Sequence, residues 1–161
     1  MLLPHEFNVG YIGSATQLTL MLPFGDYDRA CLITLASGKA TAIVVDERES
    51  FSSFESENNT SLKGILVPNV AIELDESATF DAVGWSPPLG MLVRRDDGIF
   101  ISARPEGRIP RNTLIPIVTG LPTSQADMAV GFKKWQIVLG EGLSKRTLMS
   151  FDTDRQNKPE R

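Results

Sequence analysis

The stretch Gly90 to Arg104, GMLVRRDDGIFISAR, sets an Asp96-Asp97-Gly98 turn signal between two strand-forming runs and reads as a β-hairpin. A three-residue loop, built from a type I turn and a left-handed glycine, needs Gly98 in its third position, where a Cβ would be costly. That register pairs Arg95 with Ile99, Val93 with Ile101 and Met91 with Ala103, so one face is apolar except at the turn. The other face carries Arg94, Ser102 and Arg104. A two-residue Asp97-Gly98 turn would put Val93 opposite Ser102 and mix the faces, which a half-buried sheet disfavours. The expectation is an antiparallel sheet with a basic outer face.

A second hairpin is legible in ACLITLASGKATAIVV, where a two-residue Ser37-Gly38 turn aligns Leu35 with Ala40, Ile33 with Ala42 and Cys31 with Val44. Leu32 with Ile43 makes the opposite face apolar at that level too, which predicts a hairpin covered on both sides. Phe7 to Ile12 and Thr16 to Phe24 read as strands joined in a hairpin by Gly13-Ser14-Ala15. Residues 46 to 63 are acidic and polar without a clean period, which predicts a long surface loop pinned by Phe51 and Phe54.

Further along, Gly64 to Val67, Asn69 to Leu74 and Phe80 to Gly84 read as strands, and Pro105 to Asn112 as a loop. Thr113 to Thr119 contains Pro116, which confines it to an edge or a bulge. Ser124, Asp127 and Gly131 frame one short helix, Gln125 to Val130. A last hairpin, Phe132 to Leu139 with Arg146 to Phe151, turns at Gly140-Glu141-Gly142. The fold class expected is all-β, mainly antiparallel: a sandwich or partly closed barrel of about nine or ten short strands with at most one short helix. Residues 1–151 form a single domain in this reading, followed by a polar tail over 152–161.

The function classes that the residues exclude are clearer than the one they favour. The lone Cys31 sits in an apolar run and the lone His5 follows Pro4, so a zinc site of four Cys and His ligands is out of reach. Cys31 reads as a packed thiol, His5 as a surface histidine too isolated to serve a catalytic triad. Asp26-Tyr27-Asp28 lacks the continuation of a calcium loop. Glu73, Asp75 or Glu76 could supply a glycosidase-like carboxylate pair, but Glu73 and Asp75 read as solvated charge on a polar outer face, and no phosphate-cradling glycine motif occurs. No catalytic residue, metal or cofactor is expected. Without a leader or a membrane span, the chain is expected to be cytoplasmic.

Residues 1 to 86 carry a charge of −8 and residues 87 to 161 a charge of +4, an asymmetry that interleaved strands would erase. Arg94, Arg104, Arg108 and Arg111 are candidates for a basic stripe, with Phe100 across the strand pair from Arg94. Asp96, Asp97, Glu106 and the overall net charge of −4 argue against nucleic acid as its partner. Trp85, beside Pro87-Pro88, is the candidate apolar anchor, whereas Trp135 fits a core position. These residues predict a non-enzymatic interaction or assembly module, meeting a protein partner or a second copy through the basic hairpin and the acidic 47 to 57 loop. The alternative is a small-ligand or carbohydrate-binding barrel, or a small carboxylate-dependent hydrolase using Asp26, Asp28, Glu73 or Asp75.

Overall fold

Short apolar runs punctuated by Gly, Pro or Asp suit strands. The computed structural model describes residues 2–25, 29–36, 39–45, 50–55, 62–77, 79–81, 87–95, 98–107, 112–118 and 130–153. In chain order the strands are β1 (Asn8–Tyr11), β2 (Thr19–Pro23), β3 (Cys31–Ala36), β4 (Lys39–Val44), β5 (Ser52–Glu55), β6 (Lys63–Pro68) and β7 (Val70–Leu74). They continue with β8 (Thr79–Asp81), β9 (Leu92–Arg95), β10 (Gly98–Pro105), β11 (Thr113–Val118), β12 (Val130–Phe132), β13 (Lys134–Leu139) and β14 (Arg146–Asp152). Helical turns among the described residues are of the 3-10 kind, as at Ile12–Ser14 and Gly142–Ser144. The protein is therefore all-β and mainly antiparallel.

Eleven strands form one open sheet in the order β1-β6-β2-β3-β4-β5-β10-β9-β12-β8, with β11 added on β10. The remaining three form a second sheet, β14-β13-β7. Two bends hand the chain from one sheet to the other, as corners between packed sheets do. At the first, Asn69 takes φ +61° between β6 and β7, and its side-chain oxygen accepts a hydrogen bond from Gln17 at 2.7 Å. At the second, Lys133 separates β12 from β13, so the expected strand over 132–139 is two.

Both faces of the β2-β3-β4-β6 region are buried, as the apolar pairing of Leu32 with Ile43 predicts. Leu20, Leu32, Ile43 and Val67 face a main core completed by Phe51, Leu92, Ile101, Phe132, Trp135, Ile137 and Phe151. Met21, Cys31, Ile33, Ala42, Val44 and Leu66 face a smaller cluster closed by Ile12, Phe54 and Leu62. Cys31 is a packed thiol and His5 is exposed.

The main core is organised around one strained residue. Phe51 holds φ +42°, its ring fully buried against Trp135 and Phe151 with centroids 6.3 and 5.7 Å away. A Cβ on Gly90, itself at φ +78°, would overlap the Phe51 ring. The Phe51 carbonyl accepts the Arg104 amide at 2.9 Å, which starts the parallel β5–β10 pairing.

Several expectations meet the structure directly. The Ser37-Gly38 register is observed, with Cys31 opposite Val44, Ile33 opposite Ala42 and Leu35 opposite Ala40. Pro116 lies on a strand that pairs only with β10, next to a register shift between Ile99 and Phe100, so it is both at an edge and at a bulge. Phe51 and Phe54 are buried, but they pin a strand, β5, rather than a loop.

Other expectations are corrected. β1 and β2 do not form a hairpin, because β6 lies between them and pairs with both. The described residues alone form fourteen strands rather than nine or ten, and their sheets do not close into a barrel. The helix expected at Gln125 to Val130 lies outside the described residues up to position 129, and Val130 opens β12. First-half strands β5, β7 and β8 pair with second-half strands β10, β13 and β12, so the charge asymmetry along the chain does not divide the molecule in two.

The Gly98 hairpin has a different register from the one expected. Arg95 pairs with Gly98, Arg94 with Ile99, Val93 with Phe100 and Leu92 with Ile101, leaving only Asp96 and Asp97 between the paired ends. The expected register rested on a half-exposed sheet, where mixing the faces is costly. Here Leu92, Val93, Phe100 and Ile101 are all buried, so both faces are apolar and that constraint is gone.

Candidate functional site

The corrected register separates the two arginines on which the basic hairpin surface depended. Arg94 shares a face with Leu92, Ile99 and Ile101, while Arg104, by strand alternation, shares the opposite one with Phe100 and Ser102. Arg94 is spoken for: its guanidinium donates to Glu76 at 2.7 Å and lies 4.9 Å from the centre of the Phe132 ring. Phe100 is fully buried, with Arg95 rather than Arg94 over its ring. Ser102 is buried too and donates to the Pro87 carbonyl. Arg104 is exposed. Trp85, Arg108, Arg111, Asp26 and Asp28 lie outside the described residues, as do positions 47–49 and 56–57 of the acidic 47 to 57 loop, whereas its middle carries β5.

Two other surfaces are built from residues that the sequence did not single out together. The first is a cleft of about 620 Å³ on the outer face of the β14-β13-β7 sheet, lined among others by Glu73, Asp75, Lys134, Gln136, Lys145 and Asp152. Its floor follows from register. Gln136 stands opposite Glu73 and donates to it at 2.7 Å, while Lys134 stands opposite Asp152 with 3.9 Å between the charges. Lys145 reaches back from the hairpin connection to the other Glu73 oxygen at 2.5 Å.

These contacts decide what the cleft carboxyls can do. Hydrogen bonds from Lys145 and then Gln136 hold the Glu73 carboxyl below its ordinary range. The Ser77 hydroxyl and amide do the same for Asp75. Both groups are anions at neutral pH, the reverse of the raised carboxyl that a general acid needs. Among the described residues, no group of three or more His, Cys, Asp or Glu is placed to hold a metal ion.

Because these carboxyls are held low, their stabilising contribution is complete above the unfolded carboxylate range, about pH 4. It is lost as pH falls through the lower folded values. Glu73→Gln removes one such contribution, so its melting temperature falls less on acidification from neutral pH than that of the parent. Thermal scans between neutral pH and pH 3 measure the difference; equal acid sensitivity would contradict it.

The second surface is apolar. On the main-core face of the large sheet, cover stops at the Leu20–Val67 level, and the next two rows are open. Val9, Ile65 and Leu22 form one row; Tyr11, Lys63 and Phe24 form the next. Val9 is 55% exposed, Tyr11 and Phe24 48% and Leu22 37%, and the Lys63 ammonium sits 5.7 Å from the Tyr11 ring centre. Four large apolar side chains side by side at a sheet rim are a patch, unlike single exposed residues. The Leu18, Leu20, Leu22 alternation is visible in the sequence, but not the level at which cover ends.

A comparison with protein families matches residues 9–159 to the one described as "Uncharacterised protein y4lG". The chain belongs to the Y4lG family. A Y4lG relative from Sinorhizobium fredii (strain NBRC 101917 / NGR234), "Uncharacterized protein y4lG", is 36% identical over 148 residues, covering 92% of this chain and 91% of its own. No solved structure matches. Both the rim, from Val9, and the cleft, from Glu73 to Asp152, lie within the Y4lG match.

Proposed function

We propose that the protein is a non-enzymatic assembly module that associates with further copies of itself through the Val9, Tyr11, Leu22 and Phe24 rim. The observation behind this reading is the open pair of apolar rows on an otherwise covered sheet face. Burying such rows stabilises a complex by removing apolar surface from water, at about 25 cal/mol per Å² before the costs of association. The basic hairpin takes no part in it, since Arg94 is held by Glu76 and Arg104 faces the other way. No helix among the described residues is long and apolar enough to cross a membrane, and a cytoplasmic setting is part of the proposal.

Sedimentation and light scattering across a concentration series test the reading. Association is expected to persist at about 1 M salt, where the Debye length is about 3 Å and charge-driven contacts are screened. The Tyr11→Glu, Phe24→Glu double variant should be monomeric where the parent associates, and Arg94→Glu should associate like the parent. A parent that stays monomeric at every concentration, or dissociates as salt rises, would remove the proposal. Of the carboxyls named for the hydrolase alternative, Glu73 and Asp75 are both held low, which does not suit them to proton donation.

A further inference from the structure

We infer that two copies join edge to edge through β1, related by a two-fold axis at Val9, so that their large sheets continue across the interface. The inference rests on the assembly reading above and adds its geometry. It starts from the direction of backbone groups. The Ile12 amide donates to the Leu62 carbonyl, and Tyr11 pairs with Lys63, so even-numbered residues of β1 turn their backbone groups toward β6. Val9 and Tyr11 turn theirs outward. The Tyr11 amide is met by the Ser14 hydroxyl at 3.4 Å, a long contact, while no strand among the described residues pairs with the outward side of Val9.

Edge strands usually carry a device that discourages pairing, such as a charge, a proline or a bulge. β11 has Pro116 and a register shift, and β14 has Arg146, Asp152 and an irregularity opposite Ile137 and Val138. β7 has Glu73, and β8 is three residues long. β1, Asn8-Val9-Gly10-Tyr11, carries neither charge nor proline nor bulge. Its outward side is an unprotected edge bordering the exposed apolar rows.

A second copy is the occupant that fits both features at once. Antiparallel pairing about Val9 lets the two Val9 residues exchange both backbone hydrogen bonds, the isologous arrangement of a two-fold dimer. The row Leu22–Ile65–Val9 of one copy then continues into Val9–Ile65–Leu22 of the other, giving an unbroken apolar row on one face. Tyr11 falls opposite Phe7 of the second copy. No charge on β1 opposes its own image across the axis.

Val9→Cys provides the decisive variant. A hydrogen-bonded antiparallel pair sets its Cα atoms about 5.5 Å apart, inside the disulfide range of about 4.4–6.8 Å. Mild oxidation should convert Val9→Cys to a linked dimer, while Leu35→Cys, also exposed but on β3, stays unlinked and the buried Cys31 is silent in both. In the unaltered protein, hydrogen exchange at the Val9 amide should slow at least about tenfold between dilute and concentrated samples. Association without preferential Val9→Cys linking or Val9 amide protection would overturn the edge geometry and leave the assembly reading standing. A protein monomeric at every concentration would overturn both.

Discussion

Gly90→Ala is expected to lower the free energy of unfolding by about 3 kcal/mol, the sum of two independent penalties. Placing a side chain at φ +78° costs about 1–2 kcal/mol, because its Cβ crowds the backbone there. The same Cβ would overlap the Phe51 ring, and overpacking of a dense core costs about 1–3 kcal/mol more. Phe51 has little freedom to yield, being fully buried against the stacked Trp135 and Phe151 rings at a backbone conformation that is itself unfavourable. Urea unfolding followed by circular dichroism measures the change. Adding Phe51→Leu to Gly90→Ala should cost less than the sum of the two single changes, since the smaller side chain relieves the overlap. A Gly90→Ala protein as stable as its parent would show that the β9 entry can move away from Phe51.

The parts of this architecture that were legible in the sequence are those decided within a few residues. The Ser37-Gly38 hairpin is local, and a two-residue turn signal is enough by itself to set the observed register, with Cys31 opposite Val44 and Ala36 opposite Lys39. Pro116 likewise announces its own edge position, because it lacks the amide that a central strand must donate. The Gly98 hairpin failed by the same reasoning applied where its premise was absent. Strand patterning selects a register only if one face is wet, and Val93, Phe100, Leu92 and Ile101 are dry on both.

The placement of β6 between β1 and β2 could not be read at all. Its pairings join residues about fifty apart, and nothing in the Gly13-Ser14-Ala15 segment distinguishes a hairpin turn from the 3-10 turn that delivers Ile12 to the core. The candidate surfaces inherit that blindness. Val9, Leu22 and Phe24 become neighbours only through Ile65 and Lys63, and Glu73 meets Gln136 only because the chain changes sheet at Asn69 and Lys133. Arg94 and Arg104, ten positions apart on adjoining strands, looked like one surface because the single intervening register was off by one residue.

Trp135→Ala is the second large effect, expected at about 3–5 kcal/mol, the usual cost of removing a buried aromatic ring. Stability of domains is about 5–15 kcal/mol in all, so this one change removes a large share of it. The position is demanding for two reasons that can be separated. The indole is stacked on Phe151 with ring centres 4.2 Å apart, and its Nε1 donates to the Gly90 carbonyl at 2.8 Å. Trp135→Phe preserves much of the packing but leaves the Gly90 carbonyl without that donor, for a smaller loss of about 1–3 kcal/mol. The hydrogen bond holds the β9 entry, where Gly90 makes room for Phe51, against the sheet that carries Trp135 and Phe151. Trp135→Phe should therefore also speed hydrogen exchange at the Ser102 amide, which bonds the Met91 carbonyl next to Gly90. If Trp135→Phe matched the parent in stability and in Ser102 exchange, the indole nitrogen would be incidental, and stacking on Phe151 alone would account for the tryptophan.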